Sequence, residues 1–225
     1  MKVLFVGRSV YHFSYYESLL RVLCEEGHHV EAVFDENWSK NQPQSALKGF
    51  GDEFGNFSWH WGKRRRGMLR DPLFTIREIR SYVNYLKRRN QSDFYVKRWK
   101  SYLPYPIQQR VNNPLVNSFL KSSPANRLFV LFEKILPPEN LIVDDIREAN
   151  PDLILCSPGN MRFSEEIEYV KAGKSLGIPT AILVLSWDNL TTKGLIHVHP
   201  DLTLCWNSSH VNEAIQVHQI NKETV

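Results

Sequence analysis

MKVLFVGRSVYHFSYYESLLRVLCEEGHHVEAVFD, residues 1–35, decides how the rest of the chain is read. Residues 2–6 are a short apolar run of the kind carried by a strand buried on both faces. Residues 13–26 then place Leu19, Leu20, Val22 and Leu23 on a helical stretch, Gly27 ends it, and residues 30–34 form a second β run. Strand, helix and strand joined by tight links open a parallel, doubly wound sheet.

The same grammar returns near the other end. Residues 152–156 read as a strand, 165–176 as a helix closed by Gly177, 180–185 and 202–206 as strands, and 208–218 as a helix. Residues 220–225 lie where another strand would begin. Asn150-Pro151-Asp152-Leu153 and His199-Pro200-Asp201-Leu202 each lead into a strand, with the proline at its edge because it cannot donate to the ladder.

Between these ends the pattern is looser. Residues 36–59 lack periodicity and predict loops, with a short extra strand around 55–59. Asp71-Pro72 predicts a helix start, Asp as cap and Pro at the first helical position, followed by Leu73, Ile76, Ile79, Val83 and Leu86 at helical spacing. Arg77, Arg80, Lys87, Arg88 and Arg89 would project elsewhere around that helix. Pro104, Pro106 and Pro114 punctuate the next part, and helices are expected over 125–136 and 139–149 on either side of Pro137-Pro138. The expectation is an α/β fold: one Rossmann-like doubly wound parallel sheet spanning 1–225, with a basic helical insertion at about 60–149.

Composition narrows the setting. A chain of 225 residues can bury a full core, and its N-terminal apolar run is far shorter than a signal-peptide core or a membrane span. Cys24, Cys156 and Cys205 are odd in number and sit in apolar segments, which fits reduced buried thiols. Both features predict a cytoplasmic protein. Sequons at Asn56, Asn90, Asn189 and Asn207 are then chance matches. The net charge of +4 is unevenly spread: residues 60–110 hold 14 Lys and Arg against 3 acidic residues. Interleaved with Tyr82, Tyr85, Phe94, Tyr95, Trp99 and Tyr102, that segment could seat the chain on an anionic membrane surface, on its inner face, or serve as a solvated helical face. Nucleic acid is the less favoured partner.

Ligands of such sheets bind where loops leave the carboxyl ends of strands. The first loop, GRSVYHFS, has one glycine, so neither a dinucleotide fingerprint nor a Walker A loop is present. It offers Arg8, Ser9 and Tyr11 as substrate-binding groups, and His12 either as a general base or as a capping and packing residue. The second, CSPGNMRFSEE, offers Ser157, Gly159 and Asn160, while Ser164 with Glu165 and Glu166 suits a helix N-terminus. In the third, LSWDNLTTKG, Trp187 presents a flat face to a sugar ring, and Asp188, Asn189, Thr191, Thr192 and Lys193 present acceptors and donors, or else close a structural loop. His197-x-His199 lacks an accompanying carboxylate or cysteine pattern, so no metal site is expected.

Taken in order, EEGHHV, NPDLILCSPGN, GIPTAILVLSWDNLTTKG and HPDLTLCWN resemble the N-terminal half of a GT-B glycosyltransferase. The SWDNLTTKG and PDLTLCWN stretches are similar to those of bacterial sugar and polyol-phosphate transferases. The resemblance covers residues 1–35 and 150–220. It implies an acceptor-binding domain for a small-molecule or glycan hydroxyl, with His12, or second Asp188, removing the acceptor proton. It also implies that the nucleotide-sugar donor is held by a second, C-terminal Rossmann-like domain beyond Val225, and that this chain carries no cofactor of its own. A non-catalytic binding module using the basic segment is the alternative; an epimerase or a hydrolase on the same architecture is a third reading.

Overall fold

The computed structural model describes residues 1–88 and 91–225. Arg89, counted in the basic stretch, and the Asn90 sequon lie outside the described residues. Six strands, β1 (Lys2–Gly7), β2 (His29–Phe34), β3 (Phe57–Trp61), β4 (Leu153–Cys156), β5 (Thr180–Leu183) and β6 (Leu202–Leu204), form one sheet in the order β3-β2-β1-β4-β5-β6. Every pairing is parallel. This is an α/β, Rossmann-like fold.

The sequence of β1 explains why it lies at the centre. Side chains alternate across a strand, so Val3 and Phe5 enter one layer and Leu4 and Val6 the other, and all four are buried. The first layer is closed by α1 (Phe13–Glu25) and α3 (Ser45–Glu53), with Phe13, Leu20, Leu47 and Phe50 as its buried anchors, while α2 (Glu36–Ser39) is a single turn whose Ser39 hydroxyl accepts from the Val10 N–H. Each contributes about 1.5–3 kcal/mol through the apolar surface it removes from water.

A helical insertion follows β3: α4 (Arg70–Leu86), α5 (Asp93–Tyr102), α6 (Tyr105–Arg110), α7 (Pro114–Lys121) and α8 (Ser123–Ile135). It has its own apolar cluster around Ile79, Tyr82, Trp99 and Leu103. The second layer of the sheet is covered by α9 (Asn140–Ala149), α10 (Glu166–Ser175) and α12 (Ser208–His218), and α11 (Asn189–Thr192) is one turn in the loop after β5. Helix α10 lies close to the sheet at Gly173, where a Cβ would come within 2.6 Å of the Ile154 side chain. Among the described residues no helix is long and apolar enough to cross a membrane.

Several expectations are corrected. Residues 36–59 hold two helices, because Leu47 and Phe50 are enough to seat a short amphipathic segment. Pro106, Pro114 and Pro124 lie in the first turns of α6, α7 and α8, where the missing N–H costs nothing, so these prolines start helices instead of breaking them. Helix α4 begins at Arg70, and Asp71 sits inside its first turn, not at the cap. Residues 222–224 make a 3-10 turn and no seventh strand.

The basic segment is also less open than its charge count implies. Arg65 is 4% exposed and donates to Glu168 at 2.7 Å. Arg77, expected to project away from the core face of α4, is equally buried and forks onto Glu133 at 2.8 and 2.9 Å while also pairing with Glu168. Arg64 lies between Asp35 and Glu165. These cations turn inward because the insertion packs onto α10, whose acidic residues need partners once buried.

Candidate functional site

Strands β1 and β4 are neighbours although 145 residues separate Gly7 from Leu153 in the chain, and connections leave β1 and β4 toward opposite layers. That arrangement is the topological switch point, where the carboxyl ends of the strands leave a crevice. The loops after β1, β4 and β5 therefore emerge side by side.

In the first loop Arg8 is 8% exposed, stacks on Trp38 with its guanidinium carbon 4.0 Å from the ring centroid, and donates to the Arg162 carbonyl at 2.8 Å and to Ser164 Oγ at 3.4 Å. Burial lowers its pKa, against the attraction of Glu166 and Asp35. It ties the first loop to the second. Ser9 is buried, and its Oγ lies 3.5 Å from His12 Nδ1. His12 ends a 3-10 turn at the head of α1 and is only partly covered. Burial, and then the Arg8 charge, push its pKa below the ordinary value of 6.5, so the imidazole is neutral near pH 7 and able to take a proton. Tyr11 is exposed, with its ring edge-on to Tyr15.

The second loop is mostly consumed by its own structure. Ser157 Oγ donates to Glu166 Oε1 at 2.9 Å in the interior. Gly159 has a φ of +64°, and a Cβ there would also meet Ile167 at 2.9 Å, so the glycine is required by the turn. Asn160 is 2% exposed; its Nδ2 donates to the Asn189 carbonyl at 2.7 Å, and its own carbonyl accepts from the Gly194 N–H. It joins the second loop to the third. Ser164 does not cap α10: Glu165 holds the cap position without a side-chain cap bond, and Ser164 Oγ faces Arg8 instead.

In the third loop Asn189 is 1% exposed, and its Oδ1 accepts from the N–H groups of Leu185 and Ser186 at 3.0 and 2.7 Å. Its side-chain oxygen is thus committed to the loop backbone. Asp188 accepts from Ser186 Oγ at 2.5 Å, Thr192 Oγ1 at 2.9 Å and Lys193 Nζ at 2.9 Å. Partial burial opposes its ionisation, yet these hydrogen bonds and the Lys193 charge hold the carboxyl down at about 2. A carboxylate so well satisfied is a poor base, which favours His12 over Asp188 as proton acceptor, and Thr192 and Lys193 help to hold Asp188 in place. Trp187, by contrast, is 75% exposed.

Sequence reasoning did not single out Asp35 or Glu78, and took Arg64 only as part of the basic run 63–66. Arg64 Nε lies 3.4 Å from Asp35 Oδ2 and 3.4 Å from Glu165 Oε1. Burial raises both Glu165 and Glu78 to about 7; Arg65 N–H and Arg64 pull Glu165 down, as Arg162 and Arg8 do Glu78, but by less. Asp35 carried a usable signal, because it is the first residue after β2 at the carboxyl edge. Glu78 carried none, since helical spacing alone would leave it on the polar side of α4.

His197 is held between Arg80 and Ser81, with Nδ1 and Nε2 each at 3.3 Å. Among the described residues no three metal-binding side chains come together.

No protein-family model and no curated protein matches the chain. Among solved structures it is similar to that of Glycyrrhiza uralensis UGT73P12 complexed with glycyrrhetinic acid 3-O-monoglucuronide, at 14% identity and a TM-score of 0.37. The match covers 82% of this chain and 28% of that one, so the chain spans well under a third of the length of that structure. The fold assignment rests on the strand order itself.

Proposed function

We propose that this chain is the acceptor-side domain of a GT-B type glycosyltransferase, an enzyme that moves a sugar from a nucleotide-sugar donor to an acceptor hydroxyl. The observation that carries the reading is His12, a neutral, partly covered imidazole at the carboxyl end of β1 beside the switch point. The charge that acts on it is that of Arg8, and among the described residues no carboxylate adds to it. Its ring nitrogen would take the proton of the acceptor hydroxyl as that oxygen attacks the anomeric carbon. The bond from that carbon to the donor phosphate would then break, and the nucleoside diphosphate would leave with the electron pair. Trp187, on a loop two strands away, would offer its exposed face to a sugar or another flat acceptor. The donor would be held by a second domain, facing these loops on the cytoplasmic side. The alternative of a non-catalytic basic module draws less support, because Arg65 and Arg77 are internal.

The test is transfer of label from a panel of nucleotide sugars to extracted glycans and lipids by the protein as encoded in full. His12→Ala should lower turnover by about 100-fold or more, within the usual range for a lost general base, while acceptor binding is kept. Wild-type turnover in that variant removes His12 from the chemistry, and no transfer from any nucleotide sugar by the wild type removes the transferase reading.

A further inference from the structure

A second concavity lies away from the switch-point loops. It encloses about 720 Å³ between α4, α8, α10 and the chain segments 195–201 and 218–224. That volume is in the range of small-molecule sites. Its cationic lining is Arg80, Lys87, Lys134, Lys171 and Lys174, against only Glu133 and Asp201 of opposite sign.

The balance is more one-sided than the count. Glu133 is already taken by Arg77 and Lys171, and Asp201 by Lys174 and by the N–H and hydroxyl of Thr180. Among the described residues Arg80, Lys87 and Lys134 have no carboxylate within ion-pair distance, and Arg80 Nε is buried without any hydrogen-bond partner. An Nε left in that condition loses hydration with nothing in return. The guanidinium geometry is nevertheless fixed, because Nη1 donates to His197 Nδ1 at 3.3 Å and His197 is braced in turn by Ser81. Val83, Val130, Ile196 and Val198 supply apolar wall between the charges.

We propose that this cavity binds a soluble organic phosphate, with the phosphoryl group on Arg80, Lys87 and Lys134 and the organic part against the valine and isoleucine wall. A planar fork and two flexible ammonium groups suit the several acceptor oxygens of a phosphate, and the apolar wall calls for more than the bare ion. The site is separate from the acceptor loops. It reaches the amino-terminal edge of the sheet through Asp201, which bonds Thr180 at the start of β5. His197 borders both this cavity and the narrow crevice behind Asn160, so a ligand here would press on the wall behind the second loop. The inference does not depend on the transferase reading.

Titration of the protein with phenyl phosphate and with inorganic pyrophosphate, followed by calorimetry at low and high salt, tests it. Phenyl phosphate should saturate one site, weaken with salt, and bind more tightly than pyrophosphate. Lys87→Ala with Lys134→Ala, both on exposed side chains, should weaken it by about tenfold or more. Lys40→Ala with Lys48→Ala, the same charge change at exposed lysines outside this cavity, should leave it unchanged. Failure to saturate by about 10 mM, equal weakening in both double variants, or tighter binding of pyrophosphate than of phenyl phosphate overturns the proposal.

Discussion

Replacing Glu78 with Gln should make the protein more stable at alkaline pH and leave it nearly unchanged in mild acid. Glu78 is 6% exposed on α4, its Oε2 has no hydrogen-bond partner among the described residues, and it lines a void of about 20 Å³ with Trp99, Asn160 and His197. Burial lifts its pKa from 4.5 to about 7, and Arg162 and Arg8 recover only part of the cost. A raised carboxyl pKa means that the native state keeps a proton which the unfolded chain gives up near 4.5. Stability is therefore full below the unfolded value, falls as pH rises from the unfolded value through the folded one, and is lowest above it, where both states are ionised.

Integrating that difference between about pH 5 and about pH 8 gives a loss of about 2.5 kcal/mol in the wild type. Gln has the same shape and cannot ionise, so the slope belongs to the wild type alone. Glu165, raised to a similar value, is present in both proteins and cancels. Urea unfolding across this interval, with the slope m unchanged between variants, should show the advantage of Glu78→Gln growing by about 2–3 kcal/mol toward alkaline pH. An advantage constant to within about 0.5 kcal/mol over the interval would refute the reasoning, because a group that ionises alike in both states gives no slope.

Two further outcomes follow from the buried charges. Arg77→Met should destabilise the fold by about 3–5 kcal/mol in urea unfolding, because it strands Glu133 and Glu168 without their shared cation; a cost under about 1 kcal/mol would place Arg77 among the weak surface pairs. His60 bonds Asp145 at 3.4 Å and faces Glu31 at 3.2 Å, and the Asp145 bond outweighs burial to raise its pKa above 6.5. The stability that His60 provides over His60→Gln should be full below 6.5 and vanish as pH rises through the raised folded value; an advantage that persists in alkali would mean packing, not charge, is responsible.

Part of the fold was legible because central parallel strands leave little choice of residue. Runs such as Val3–Val6 and Ile154–Cys156 have no solvent face, so they stand out without any knowledge of their partners. Helix α12 was read at its observed bounds, with Asn207 accepting from the His210 N–H at its start. Helices α5 to α7 were not legible: their core is shared among Trp99, Leu103 and Val111 from different segments, so no one segment shows a full apolar stripe. The inward turn of Arg65 and Arg77 was equally hidden. It depends on Glu133 and Glu168, which lie far along the chain and come into reach only when the insertion folds onto α10.

The candidate site divides along the same line. Strand order places three polar loops together, which alternation and turn residues already suggested, but it does not say which polar groups stay available. Asp188, the Asn189 Oδ1 and the Asn160 Nδ2 spend their hydrogen-bonding capacity on the N–H, carbonyl, hydroxyl and ammonium groups of neighbouring loop residues, and Arg8 spends its own on tying the first loop to the second. Those bonds hold the loops in one arrangement, so the side chains left over are presented from a fixed frame and lose little freedom when they meet a ligand. His12, Tyr11 and Trp187 are the ones left over. A Trp face with no partner at 75% exposure costs the free protein hydration, and a loop built so tightly beneath it could have turned it inward at little extra cost. Its outward position leaves that face open at the same edge of the sheet from which the His12 loop emerges, two strands away.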